Sequence, residues 1–168
     1  MSAYEWSSLI VSVLSLLVAI YAARSSSNAK AKSEEADRVS SKANKSAEAS
    51  VEIAIQSAIT STKEKIMDCS ESMEELLAKQ NLTDGEKRLL DFKKKRFNVA
   101  LENNLNAYED ACAKYIDGKV DKVRFRKSYS TEIRNIVENK NFEKYFDAVK
   151  SRYKAILKVY KEWNDLEK

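Results

Sequence analysis

The residues of this chain with the clearest capacity for chemistry are basic side chains in its middle third. Residues 84–127 hold 12 basic and 8 acidic residues, a local excess that can attract anionic lipid head groups or nucleic acid. Consecutive residues of a helix point about 100° apart, so an ordinary solvated helix face is the plain alternative. The candidate contacts to an anionic ligand are Lys93, Lys94, Lys95, Arg96, Lys122, Arg124, Arg126 and Lys127.

Catalytic and metal-binding chemistry has few candidates in this sequence. There is no His, which removes the usual general base and the commonest metal ligand. Carboxylate pairs such as Glu71 with Glu75 are explained by charge pairing along helix faces. Cys69 and Cys112 occur at apolar helical spacings, which favours buried thiols. We therefore expect a protein that is not an enzyme and that holds no cofactor or metal.

The elements that position these residues are expected to be helices. The 168 residues include two Gly and no Pro, too few turn residues for a sheet fold that needs a turn every 8 to 12 residues. The fold class is therefore all-α. We expect a single N-terminal transmembrane helix that continues into a long helical stalk, followed by an antiparallel helical bundle. The predicted ranges are an anchor at 1–23, the stalk at 24–62 and a cytoplasmic bundle at 63–168.

The N-terminal segment has the pattern of a membrane anchor. Residues 6–23 carry no charge and would span about 27 Å as a helix, enough to cross a bilayer core. Tyr4 and Trp6 at one end and Tyr21 at the other suit the membrane interface. A cleaved signal peptide is the alternative, but Glu5 occupies the region that should be positive, and Tyr21 spoils the small-residue cleavage site.

The distribution of Lys and Arg predicts the orientation of the anchor. None precedes the uncharged segment, whereas Arg24, Lys30 and Lys32 follow it closely. The N-terminus should therefore lie outside and the remainder inside. In a bacterium this corresponds to a single-pass protein of the inner membrane with a cytoplasmic body, which also suits two unpaired thiols.

One face of the anchor and stalk carries only small side chains. Alternating steps of four and three from Ser8 reach 16 positions, all Ala or Ser, while the other 38 positions up to Ser61 hold only eight. Such a repeat predicts parallel self-association, because small residues allow close approach of helices. A monomeric spacer or a disordered linker are the alternatives. This Ala/Ser seam comprises Ser8, Ser12, Ser15, Ala19, Ala22, Ser26, Ala29, Ser33, Ala36, Ser40, Ala43, Ala47, Ser50, Ala54, Ser57 and Ser61.

The C-terminal part has the periodicity of a helical bundle. Beyond Val51 the apolar stripe of the first helix leaves the seam register, which predicts that the helix enters the folded body. Thr83 and Glu86 form a capping-box pattern that starts a second helix, and Gly118 follows its end. Asp121 is the predicted cap of a third helix. Asn141 is the predicted cap of a last helix with the apolar stripe Phe142, Phe146, Val149, Tyr153, Ile156, Tyr160 and Trp163, in which a break near 148–151 is an alternative.

The order of these segments resembles that of a known group of proteins. An uncharged span over 9–22, an Ala, Ser, Lys and Glu stalk, and helices with the phrases Asn106-Ala-Tyr-Glu-Asp-Ala-Cys and Tyr115-Ile-Asp-Gly-Lys are similar in layout to DUF4760-type small bacterial membrane-anchored helical proteins. Such proteins are often carried on mobile elements and in anti-phage loci. The resemblance implies a role in defence or exclusion, and it implies no catalytic residues.

Two functional hypotheses follow from the sequence. The first is a non-enzymatic membrane-anchored scaffold that self-associates through the Ala/Ser seam and recruits a protein partner. The second is a membrane-tethered binder of nucleic acid or another anionic ligand that acts through the basic middle helices. The salt dependence of nucleic-acid binding distinguishes them.

Overall fold

The protein is built from helices throughout the part that its computed structural model describes. The backbone is described for residues 3–147 and 151–165, and the side chains for 24–147 and 151–165. Within these ranges there is no strand, so the all-α prediction is confirmed. The elements are α1 (Ala3–Leu77), α2 (Asp84–Ile116), α3 (Lys122–Glu138), a 3-10 helix (Lys140–Tyr145) and α4 (Lys154–Asp165).

The chain divides into two units, Met1–Ala47 and Glu48–Lys168. In the first unit, residues 24–47 are helical and all of them are exposed. The second unit contains the core, and Ile55 and Ile59 of α1 belong to it. The core of the second unit thus includes residues of the predicted stalk, and the predicted boundary at residue 63 stays a prediction. The apolar side chains that follow the stripe change at Val51 pack against the later helices.

Among the described residues, no helix contains a stretch long and apolar enough to cross a bilayer. The side chains of the predicted anchor, residues 1–23, lie outside the described residues. The same holds for the interface residues Tyr4, Trp6 and Tyr21 and for the seam residues Ser8, Ser12, Ser15, Ala19 and Ala22.

The helix boundaries of the second unit follow the capping residues. Thr83 is the N-cap of α2, its hydroxyl accepting a bond from the Glu86 amide while the Glu86 carboxylate accepts from the Thr83 amide. Asp121 is the N-cap of α3 and accepts from the amide of Arg124 at 2.9 Å. Gly118, just past the end of α2, has a φ of 68°, a conformation that favours glycine. These three predictions are confirmed.

Contacts between helices define an up-down-up-down bundle. The arm of α1 from Glu48 to Leu77 and α2 form an antiparallel hairpin, joined by a short turn and tied by a hydrogen bond from Asn104 to Thr62 at 2.9 Å. Helix α3 runs antiparallel to α2. Helix α4 runs parallel to α2, since Glu109 contacts the start of α4 and Tyr115 contacts Trp163 near its end.

The principal core lies where all four helices meet. It is rich in aromatic rings, including a tilted stack of Phe125 on Tyr115 with centroids 5.3 Å apart. A smaller second cluster, formed by Met73, Leu76 and Leu90, lies toward the tip of the hairpin. The main core comprises Ile55, Ile59, Leu105, Tyr108, Ala111, Cys112, Tyr115, Val120, Phe125, Ile133, Tyr153, Ile156, Val159 and Trp163.

The last predicted helix differs from the structure at its beginning. Asn139, not Asn141, provides the cap, because its side-chain oxygen accepts from the Asn141 amide at 2.9 Å. The segment that follows is the 3-10 helix, and α4 starts only at Lys154. The described residues on either side of the alternative break, 146–147 and 151–153, are not helical, whereas residues 148–150 lie outside the described residues.

Candidate functional site

Two carboxylates dock the later helices onto the hairpin. Glu109 of α2 accepts bonds from the amides of Ala155 and Ile156 at 2.9 and 3.0 Å, and so satisfies free amides at the start of α4. Glu52 of α1 accepts from the amide of Asp121 at 3.2 Å and from Arg124 at 2.8 Å. Neither role is visible in the sequence, since each partner is 46 or more residues away.

A polar network links α1, α2 and α3 beside the core. Glu132 accepts a hydrogen bond from the Tyr108 hydroxyl and an ion-pair contact from Lys63 at 2.7 Å. Burial, together with the bond to the Glu132 carboxylate, raises the pKa of Tyr108 above its usual value. Tyr108 therefore stays a neutral hydrogen-bond donor at every physiological pH, and its bond to Glu132 links α2 to α3.

The described part of the Ala/Ser seam is solvent-exposed. In the first unit this applies to Ser26, Ala29, Ser33, Ala36, Ser40, Ala43 and Ala47. In the second unit it applies to Ser50, Ala54, Ser57 and Ser61. The core positions of α1 in this unit, such as Ile55 and Ile59, occupy a different stripe of the same helix. The described seam side chains are therefore accessible to solvent in each unit.

A groove of about 460 Å³ runs between α1 and α2 on one face of the hairpin. Its floor contains the small side chains of Cys69 and Ala100. Phe92 and Val99 form an apolar wall and remain 57% and 59% exposed. We call this site the hairpin groove, lined by Lys65, Asp68, Cys69, Phe92, Lys95, Arg96, Val99, Ala100 and Asn103.

The four consecutive basic residues Lys93, Lys94, Lys95 and Arg96 point in different directions from α2, as their spacing predicts. Lys95 and Arg96 line the hairpin groove, whereas Lys93 and Lys94 do not. Among the described residues, Lys95 and Arg96 have no ion-pair partner. The hairpin groove therefore combines exposed apolar surface with an excess of positive charge, since Lys65, Lys95 and Arg96 line it against the single carboxylate of Asp68. This combination suits an amphipathic acidic partner.

The second basic group is gathered around a shallow pocket on α3. Lys122, Arg126 and Lys127 line a pocket of about 450 Å³ together with Tyr115, Val123 and Ser130. The Lys122 ammonium lies 5.1 Å from the centroid of the Tyr115 ring. Arg124 is not part of this α3 pocket, because it pairs with Glu52 of α1. Three of the four predicted anion contacts on α3 are therefore together.

Three acidic residues of α1, Glu35, Glu71 and Glu75, do not line either pocket. Glu35 pairs with Arg38 at 3.0 Å one helical turn away. Lys79 pairs with Glu86, across the turn between α1 and α2, rather than with Glu71 or Glu75. Among the described residues no group of three or more Cys, Asp and Glu side chains could hold a metal ion.

No protein-family model, curated protein or solved structure matches the chain. The resemblance in layout to DUF4760-type proteins stays a prediction.

Proposed function

We propose that this protein is a non-catalytic, membrane-anchored scaffold that assembles in parallel copies through the Ala/Ser seam and recruits a protein partner. The observation that supports this proposal is that every described seam residue, from Ser26 to Ser61, is exposed. A small-residue stripe with exposed side chains is accessible to the same stripe of a second copy. Because Ala and Ser bury little apolar area, the anchor and the bundle must supply much of the free energy of association.

Cysteine cross-linking tests the seam directly. In a Cys69→Ser background, Ala36→Cys and Ala47→Cys should form intermolecular disulfides several-fold faster than Lys42→Cys. All three positions are exposed, but Lys42 lies off the seam. Equal rates at the three positions would show that the seam does not mediate self-association.

The anchor and its orientation belong to the same proposal. The uncharged segment at 6–23 supports membrane insertion, and the Lys and Arg residues that follow it support an outside N-terminus and a cytoplasmic body at the bacterial inner membrane. A membrane-impermeant maleimide should label Ser2→Cys in intact spheroplasts and leave Glu167→Cys unlabelled. The reverse labelling pattern contradicts the orientation.

A second candidate function, binding of nucleic acid or another anionic ligand, is supported by the α3 pocket. Three cations and the Ser130 hydroxyl line one surface there, which suits phosphate oxygens. Together with the resemblance in layout, this supports the alternative of a membrane-tethered sensor in anti-phage defence.

Fluorescence anisotropy tests this second function with full-length protein in detergent and labelled RNA or DNA. Binding should weaken steeply as salt rises. It should also weaken in Lys122→Gln with Lys127→Gln, but not in the control Lys140→Gln, whose side chain is exposed outside the pocket. Absence of binding at low salt removes this candidate.

A further inference from the structure

The two arms of the hairpin carry opposite charge. On α1, residues 66–77 include four acidic residues and no basic one, whereas residues 87–96 on α2 include six basic residues and one acidic one. Such a hairpin is electrostatically complementary to itself when the α1 arm of one copy meets the α2 arm of another.

The acidic arm also presents apolar side chains on its outer side. Met67 and Leu77 are 60% and 59% exposed, and the exposed Glu71 and Glu74 lie between them on the same side of the helix. Among the described residues neither Glu71 nor Glu74 has an ion-pair partner. We call Met67, Glu71, Glu74 and Leu77 the acidic face.

The acidic face and the hairpin groove match in position along the hairpin. The hydrogen bond between Thr62 and Asn104 places these two residues at the same level. Both helices rise about 1.5 Å per residue in opposite directions, so each step forward on α1 corresponds to one step back on α2. The pairs of residues at the same height along the hairpin are therefore Met67 with Val99, Glu71 with Lys95, Glu74 with Phe92, and Leu77 with Leu89.

We infer that the hairpin groove of one copy binds the acidic face of a second copy, with the two hairpins side by side, parallel and without axial shift. Met67 then packs on Val99, Leu77 packs on the half-exposed Leu89, and Glu71 pairs with Lys95. The inference rests on the parallel self-association proposed above, which places neighbouring hairpins at one distance from the membrane.

This contact joins two different surfaces, so assembly can extend beyond a dimer. At about 100° per residue, Met67 and Glu74 lie about 160–180° around α1 from Lys65 and about 100–120° from Asp68, the two α1 residues of opposite charge that line the hairpin groove. Each copy therefore offers a free groove and a free acidic face at once, which is the condition for a head-to-tail ring or array.

A charge-swap experiment on full-length protein in detergent tests the contact. One variant carries Glu71→Lys with Glu74→Lys, and the other carries Lys95→Glu with Arg96→Glu. The readout is a disulfide between Met67→Cys in one copy and Val99→Cys in another, in a Cys69→Ser background. Lys94→Glu with Lys161→Glu makes the same charge change as the Lys95 and Arg96 variant, on exposed residues outside the hairpin groove, and serves as the control.

The expected result is a disulfide with native charges and with the control. Either charge-swapped variant alone should lower its yield about tenfold, because like charges then face each other. The acid-face variant carrying Met67→Cys, mixed with the groove variant carrying Val99→Cys, should restore it, because the reversed charges attract. No disulfide with native charges, no effect of the variants, or no recovery on mixing overturns the inference.

Seam cross-linking in the same samples separates this inference from the proposed function. If Ala36→Cys cross-links while the hairpin pair does not, seam association stands and the hairpin contact is wrong. If only the hairpin pair cross-links, the hairpin contact stands and seam association is wrong. If neither cross-links, both are wrong.

Discussion

At the scale of single residues, the two cysteines have different surroundings and therefore different reactivity. Cys112 is fully buried in the main core, and burial together with the charge of Glu109 raises the pKa of its thiol above the usual value. Cys69 is half-buried and lines the hairpin groove. The sequence-based expectation of buried thiols thus holds for Cys112 and only partly for Cys69.

We predict that iodoacetamide modifies Cys69 in the folded protein and leaves Cys112 unmodified at neutral pH. The thiolate is the reactive species, and both burial and the raised pKa keep Cys112 from forming it. Mass spectrometry of peptides after timed labelling measures both sites, and labelling in urea provides the control in which both react. Equal labelling without urea would place Cys112 outside the core.

Glu86 links the start of α2 to the pH dependence of stability. Bonds from Lys79 and Thr83 lower the pKa of this carboxyl from 4.5 to about 2. A lowered pKa in the folded state means that the charged form stabilises the fold. This contribution is complete above about pH 4.5 and is lost as the pH falls toward about 2.

We predict that Glu86→Ala lowers the urea midpoint at pH 7 and that the difference from the unmutated protein shrinks as the pH falls from 4.5 to 2. Circular dichroism during urea titration at several pH values measures it. Glu64→Ala, an exposed acidic residue of α1 outside the capping box, is the control. A difference that stays constant with pH contradicts the role assigned to the Glu86 charge.

At the scale of elements, α4 depends on α2 for its position. It is a 12-residue helix, at the length where helices in isolation are marginal in water. Its buried stripe, Ile156, Val159 and Trp163, packs on the core, and Glu109 binds the amides at its start. Trp163 also donates to the Tyr115 hydroxyl at 3.1 Å.

We predict that Glu109→Ala destabilises the second unit by about 1–2 kcal/mol, the usual cost of losing a helix cap. The control Asp110→Ala removes only a surface pair with Lys114 and should cost less than about 0.5 kcal/mol. Urea unfolding followed by Trp163 fluorescence in a Trp6→Phe background measures both. Equal effects would show that the cap contributes nothing to the docking of α4.

At the scale of the whole molecule, the main core and the hairpin groove belong to different parts of the second unit. The four-helix end contains the aromatic core and the carboxylates that dock α3 and α4. The hairpin tip has only the cluster of Met73, Leu76 and Leu90 and leaves apolar residues exposed around it. A hairpin that leaves apolar side chains exposed, next to a well-packed four-helix end, is the arrangement expected when the hairpin binds another chain.

We predict that truncating a central core residue unfolds the second unit far more readily than truncating an exposed residue of the same helix. Ile133 is completely buried at the junction of the helices, whereas Val123 is 82% exposed. Ile133→Ala should cost about 2–5 kcal/mol and Val123→Ala less than about 0.5 kcal/mol. Thermal unfolding followed by circular dichroism distinguishes them, and similar melting temperatures would contradict the position of the core.

Helix starts, helix ends and apolar stripes were determined by the sequence itself. Thr83 with Glu86, Asp121, and Gly118 act within a few residues of the helix ends that they define, so their effect is local and readable. The stripe change beyond Val51 belongs to the same class of signal, because helical periodicity is a property of one segment.

The tertiary structure alone decided which side chains meet across helices. Glu52 and Glu109 are ordinary surface acids by sequence, and only packing brings them to the ends of α3 and α4. Packing also separated Arg124 from the other α3 cations and left the hairpin groove above Ala100. Contacts between residues distant in sequence depend on how whole helices fit together, and no local periodicity or capping pattern encodes that fit.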